Sequence, residues 1–207
     1  MEQTKNRDIL AKYIPDSALD KITALLQEHA IRLHIKRARK TKLGDFRPEH
    51  NGKPAKITMN ADLNKYAFLI TLVHEIAHWL VWVEHKNTYT IKPHGPQWKQ
   101  TYNNLMYDFL VPEIFPDDVL YPLIIHMRNP KASSSSDKYL LKALKNHNKH
   151  KTATLLDDLQ IGDQFSFNHK NFEVTKINRS RFICTDLSNS KSYSIHSMAE
   201  VERMVKE

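Results

Sequence analysis

The sequence predicts an α+β protein, with helices packed on a small antiparallel sheet and a small β-rich appendage after them. Three observations predict this. Apolar residues recur at helical spacing from Leu19 and again from Leu63 to Val81. Strand-like alternation (Ile31, Leu33, Ile35) separates the two helical stretches. Four short alternating runs then close the chain beyond a serine-rich break. Composition agrees: 207 residues, 41% hydrophobic and 26% charged, suffice for one full domain and an annex. Folding at this length should bury roughly 70% of the unfolded surface, so the core needs no staples. The one cysteine, Cys184, excludes an internal disulfide framework and a four-cysteine zinc ribbon. Four glycines (Gly44, Gly52, Gly95, Gly162) cannot assemble a GxGxxG loop or a P-loop. The most apolar short run, residues 67–73, falls far below the ~20 residues that span a bilayer. The first eight residues lack the apolar stretch of a secretory signal. A cytoplasmic monomer without a membrane partner is the expectation.

The elements follow in order. Asp16 and Ser17, behind Pro15, offer an N-cap to a first helix carrying Leu19, Ile22, Leu25 and Leu26. Near residue 31 the period becomes two, and Arg32, His34 and Lys36 alternate with the apolar residues of a half-buried strand. A second strand is expected at 56–59, with Gly52 and Pro54 in the turn before it. From Asp62 the helical period holds for about six turns without glycine or proline. Another helix should begin at Pro96, a favoured first-turn residue, with Gly95 before it. Pro112, Pro116 and Pro122 punctuate a short closing segment. Residues 130–136 read as a linker, with a short basic helix after it. The tail runs, 164–167, 172–177, 181–185 and 192–195, suggest an antiparallel meander held by Phe165, Phe167, Phe172, Val174, Phe182 and Tyr193. The expected divisions are a first domain over 1–128, a basic linker or short helix over 129–154, and the β meander over 155–207.

The long helix carries His74-Glu75-Ile76-Ala77-His78, an HExxH pattern. Spacing of four stacks two imidazoles on one helix face, where both can reach one zinc at roughly 2 Å. Glu75 is turned away from that face enough to reach a water on the metal without being a ligand. Chance produces the pattern in roughly 3% of chains of this composition. A zinc enzyme needs a third protein ligand and an open fourth position. His94, just before Gly95-Pro96 at a helix start, is the better candidate; Glu113, His85 and His126 are rivals. Val81 and Glu84 stand where a metzincin extension needs glycine and histidine. Tyr89, Tyr102 and His85 are the candidate oxyanion donors.

His74-Glu-Ile-Ala-His78 followed by His94-Gly-Pro-Gln-Trp98 resembles the SprT-like metallopeptidase pattern, HExxH followed by HGPx-aromatic. Lys42-Leu-Gly-Asp-Phe46 and Ile57-Thr-Met-Asn60 also resemble the family's strand region. The likeness covers roughly residues 15–125. It implies a zincin-like minimal protease domain related to the Spartan protease, which degrades proteins crosslinked to DNA. It also implies one zinc held by His74, His78 and His94, with Glu75 as the catalytic acid/base. Many bacterial members end in a cysteine zinc ribbon, which this chain lacks; its tail would keep a ribbon-like meander without the cysteines.

Net charge is +8, and it is clustered. Six cations (Arg32, Lys36, Arg37, Arg39, Lys40, Lys42) lie in residues 32–43 without an acid. Residues 128–151 hold seven against one acid. There Lys138, Lys142, Lys145 and Lys149 would form one stripe on a helix, with Leu141 and Leu144 facing the other way. These ten residues are the expected contacts for non-specific DNA, preferentially single-stranded. Trp82 could line the cleft, while Trp79 suits the core. The expected function is therefore zinc-dependent hydrolysis of proteins associated with or crosslinked to DNA. The rival is a non-enzymatic, zinc-containing nucleic-acid-associated protein linked to transcription, in which Glu75 would have no use.

Overall fold

The computed structural model describes residues 7–39, 41–85, 91–133, 137–148 and 154–204. It divides into two compact units, 1–148 and 149–207. The first unit contains helices α1 (Leu19–Glu28), α2 (Lys65–Glu84), α3 (Pro96–Tyr107), α4 (Asp117–Met127) and α5 (Lys138–Asn146). Strands β1 (Leu33–Lys36), β2 (Gly44–Arg47) and β3 (Lys56–Asn60) form its sheet, in the order β1-β3-β2.

That sheet is mixed, not antiparallel as expected. β1 runs parallel to β3, with Leu33 opposite Ile57, whereas β2 runs antiparallel to it, with Phe46 opposite Ile57. The chain leaves β1, passes to the far edge as β2, and returns through the vacant middle position as β3. The order of insertion decides the direction of pairing, and no local pattern records it. The family likeness of residues 42–46 points to a strand region where β2 lies, but periodicity does not mark it. Gly-Asp-Phe-Arg has no alternation of burial, and only β3 on one side and α2 on the other make it extended.

α2 is the axis of the unit. Asn64 caps it, its side-chain oxygen accepting from the Ala67 N–H at 3.0 Å. Residues 67–73 are buried without a break, because α3 covers one side and the sheet the other. By length and composition α2 could cross a bilayer, which the short apolar run 67–73 had not suggested; most of it is buried inside the protein. Phe68 of α2 itself, Trp98, Tyr102, Phe109 and Phe115 are the largest fully buried side chains of this unit.

α4 replaces the short proline-punctuated segment. Pro116 supplies its N-cap position, and Pro122 sits inside it, leaving the Asp118 carbonyl on an exposed turn without an N–H partner. α5 buries Leu140, Ala143 and Leu144, so Leu140 and not Leu141 joins Leu144 inward. Asp137 caps α5, accepting from Tyr139 N–H and Leu140 N–H.

The second unit is a six-stranded antiparallel sheet, β4 (Thr154–Leu155), β5 (Gln164–Phe167), β6 (Lys170–Ile177), β7 (Arg181–Asp186), β8 (Ser192–His196) and β9 (Glu200–Met204), in the order β4-β9-β5-β6-β7-β8. Two strands exceed the expected four. β4 is only a two-residue pair with β9, and β9 is masked in the sequence by Glu200, Glu202 and Arg203, with Val201 alone buried. Phe165, Phe172, Val174 and Phe182 form the core with Cys184, whereas Phe167 is half-buried at its margin and Tyr193 lies 36% exposed. Burial pushes the Cys184 thiol up to about 11, as befits a packing residue.

Asn64 also donates to the Leu144 carbonyl and to Asn148 Oδ1, both at 2.8 Å, and so ties the start of α2 to the end of α5. Asn64→Ala removes the cap and both ties and should cost about 1–3 kcal/mol. Denaturant titration with an unchanged m-value is the check.

Candidate metal centre

Two histidines come from α2 and one from the turn before α3. The helix places His74 and His78 one turn apart, with ring centroids 4.9 Å apart. His94 approaches from the left-handed backbone region (φ 58°), which a non-glycine residue adopts at a cost. Gly95 follows and is buried; a Cβ there would lie 2.8 Å from the Lys92 carbonyl. Pro96 then starts α3. The Lys92-Pro-His-Gly turn thus fixes the direction in which the third imidazole points.

The three Nε2 atoms form a triangle with sides of 3.1, 3.2 and 2.9 Å. Protons alone cannot satisfy it. Each neutral nitrogen carries a proton or a lone pair, so at most two sides can pair a donor with an acceptor. A cation on the common axis satisfies all three, and ligands about 2.05 Å from a tetrahedral ion stand about 3.3 Å apart. The donor set therefore fits a metal ion. Burial depresses the histidines, His78 to about 4 and His74 further, with the neighbouring rings adding to it, so they are neutral and have lone pairs to offer at pH 7.

Trp98 is the floor of the cluster. Its ring lies 4.5, 5.2 and 4.7 Å from those of His74, His78 and His94, and its indole N–H points to the His74 carbonyl at 3.4 Å. Tyr102 stacks beneath Trp98 at 4.9 Å. It is fully buried with its hydroxyl on the Ile70 carbonyl at 3.4 Å, which makes it a support for α2, and it borders the cavity that holds His74 and Glu75. Tyr89 lies outside the described residues. His85 is half-buried in the wall beside His78, with the Glu84 carboxylate 4.0 Å away.

Glu75 is buried beside the triangle, and burial pushes its carboxyl up to about 7. Oε2 accepts from the Phe46 N–H of β2 at 2.8 Å. Gly44 makes this approach possible. A Cβ on Gly44 would stand 2.7 Å from Glu75 Oε1 and 2.9 Å from Thr71 Cγ2. Sequence reasoning gave Gly44 and Phe46 no role, although Gly44 was the visible signal, a lone glycine in a basic run. The rival ligands fall elsewhere. Glu113 is exposed, its carbonyl accepting from Ser17; His126 is buried with Nδ1 3.5 Å from Asp137.

The cations disperse. Arg39 is held inside the sheet edge, donating to Asn60 Oδ1 and Thr58 Oγ1 at 2.8 and 3.0 Å, and Lys42 is paired with Asp45 at 2.7 Å. Arg32, Lys36 and Arg37 are exposed. Lys138, Lys142 and Lys145 fall opposite the buried face of α5 but are half-buried and engaged. Lys40 and Lys149 lie outside the described residues. Trp82 borders the cavity beside His78, and Trp79 packs half-buried against Phe46, at 5.8 Å.

Paired helical histidines, a third from a fixed turn, and a buried carboxylate one residue along the helix define a metallopeptidase site of the HExxH type. Residues 16–115 match the SprT-like family, and the chain carries a SprT-like domain over that stretch. No curated protein and no solved structure matches the chain.

Two outcomes are expected. Gly44→Ala should keep the metal but displace Glu75, lowering any peptidase turnover by about 10²-fold, measured against metal content. Acid should weaken the chelator-treated protein. His74 and His78 are neutral when folded and protonate near 6.5 when unfolded, so below that pH the unfolded chain binds more protons and stability falls. Glu75 opposes this between about 7 and 4.5, as one carboxyl against two imidazoles. Melting temperature should therefore fall from pH 6.5 to 5; a rise would contradict the burial of the pair.

Proposed function

We propose that the protein is a zinc-dependent endopeptidase acting on proteins held at or crosslinked to DNA. One observation carries the catalytic half: three neutral imidazole nitrogens converge next to a buried carboxylate that is not among the ligands. Three imidazoles suit zinc and leave its charge undiminished. When bound, zinc lowers the pKa of a coordinated water toward ~7 and polarises a carbonyl.

The chain's own residues do the rest. His74, His78 and His94 would hold the ion. Glu75 Oε2 is fixed by Phe46, which leaves Oε1 to take the proton of the attacking water and return it to the departing amine. Gly44 keeps the space over Oε1 clear. A structural ion would need no such carboxylate, which favours this reading over a non-enzymatic zinc protein.

The DNA half is supported by the net charge of +8 and by exposed Arg32, just before β1, with Lys36 and Arg37 at its far end. Among the described residues no sequence-reading element accompanies them, so contact would be with phosphates.

A single experiment addresses both halves. Glu75→Gln should retain one zinc per chain and lose proteolysis of a DNA-bound protein by at least about 10³-fold. Joint charge reversal at Arg32, Lys36 and Arg37 should leave zinc unchanged and flatten the salt slope of single-strand binding by about 0.7 for each lost contact. An active Glu75→Gln protein would remove the general base; unaltered binding would remove the DNA contacts.

A further inference from the structure

The centre stands between two cavities that share no lining residue and differ in chemistry. One, about 250 Å³, contains His74 and Glu75 with Thr41, Lys42, Thr71, Tyr102 and Ser133, a lining rich in hydroxyls and charge beside Leu43 and Ile70. The other, about 260 Å³, contains His78 among Phe46, Val81, Trp82, Ile91 and Trp98. The second is apolar and aromatic. Phe46 meets Trp82 edge to face at 6.1 Å and Trp79 at 5.8 Å, so its walls are braced by ring contacts.

From this asymmetry we infer that the His78-side pocket receives a large apolar side chain, leucine, methionine or phenylalanine, from the substrate residue beside the scissile bond. The inference rests on the peptidase reading above. His78 is at once a member of the nitrogen triangle and a wall of the pocket. A peptide whose carbonyl reaches the centre has neighbouring side chains only about 3.3 Å further along the chain, so one of them meets this wall. The pocket is large enough for a side chain of that size. A neutral polar side chain would lose its hydration against the aromatic and aliphatic walls, where among the described residues only His85 and Lys92 could partner it. Lys92, an exposed cation in the lining, repels a lysine or arginine.

The test uses two peptidyl hydroxamates, which chelate the metal and differ only in the adjacent side chain, isobutyl in one and hydrogen in the other. Calorimetric titration of the metal-loaded full chain should show the isobutyl compound binding at least about tenfold more tightly. Val81→Trp, which fills the pocket, should erase that difference while metal content and affinity for the glycyl compound stay the same. Trp82→Ala, which enlarges the pocket, should move the preference from isobutyl toward a naphthylmethyl side chain, and it serves if Val81→Trp fails to fold. Equal affinities in the wild type, binding of neither compound by metal-loaded protein, or selectivity that survives both substitutions would overturn the inference. Isobutyl selectivity without hydrolysis of any peptide would defeat the peptidase reading and leave the pocket standing. Hydrolysis with flat hydroxamate affinities would do the reverse.

Discussion

The Phe46 N–H reaches Glu75 Oε2 at 2.8 Å because Gly44, two residues earlier on the same strand, puts no Cβ between β2 and α2. This contact sets the orientation of the carboxylate. Glu75 is buried, and a buried carboxylate without a donor would swing or stay protonated. With one oxygen tied to a sheet edge, the other keeps a fixed aim, and the edge strand is held against the helix in return. Catalytic geometry and the packing of sheet on helix are thus the same few atoms.

The histidine triangle is fixed by different means. Helical periodicity positions His74 and His78 at no extra cost, whereas His94 is held in a left-handed conformation by its turn. The Trp98 ring touches all three imidazoles, which limits their rotation before any ion arrives. Little reorganisation remains to be done on binding, which raises affinity without adding a ligand.

Legibility in the sequence followed the locality of the cause. HExxH was readable because one helix contains it, and period 3.6 converts spacing into direction. His94 was readable as the residue before Gly-Pro at a helix start. β2 was legible only in the family likeness of residues 42–46, since Gly44 to Arg47 become a strand only through β3 and α2. The parallel pairing of β1 with β3 was hidden for the same reason, and α4 was hidden behind prolines that it tolerates at its cap and at an exposed turn. Charge counting misled in another way. Arg39 and Lys42 belong to a basic run by position, yet their partners are Asn60, Thr58 and Asp45. A count of cations says nothing of which are already engaged.

Ala132 and Ser133 belong to neither helix nor strand; they lie in the connection between α4 and α5 and complete one wall of the cavity beside Glu75. Helix and sheet elements here answer to the packing of α2, so a change in any of them disturbs the ligands. The connection is bound by no such duty. Insertions or exchanges within it would reshape the approach to the carboxylate while the three imidazoles keep their places. Chemistry and access are thereby assigned to different segments of the chain, one tied to the core and the other to a connection outside it.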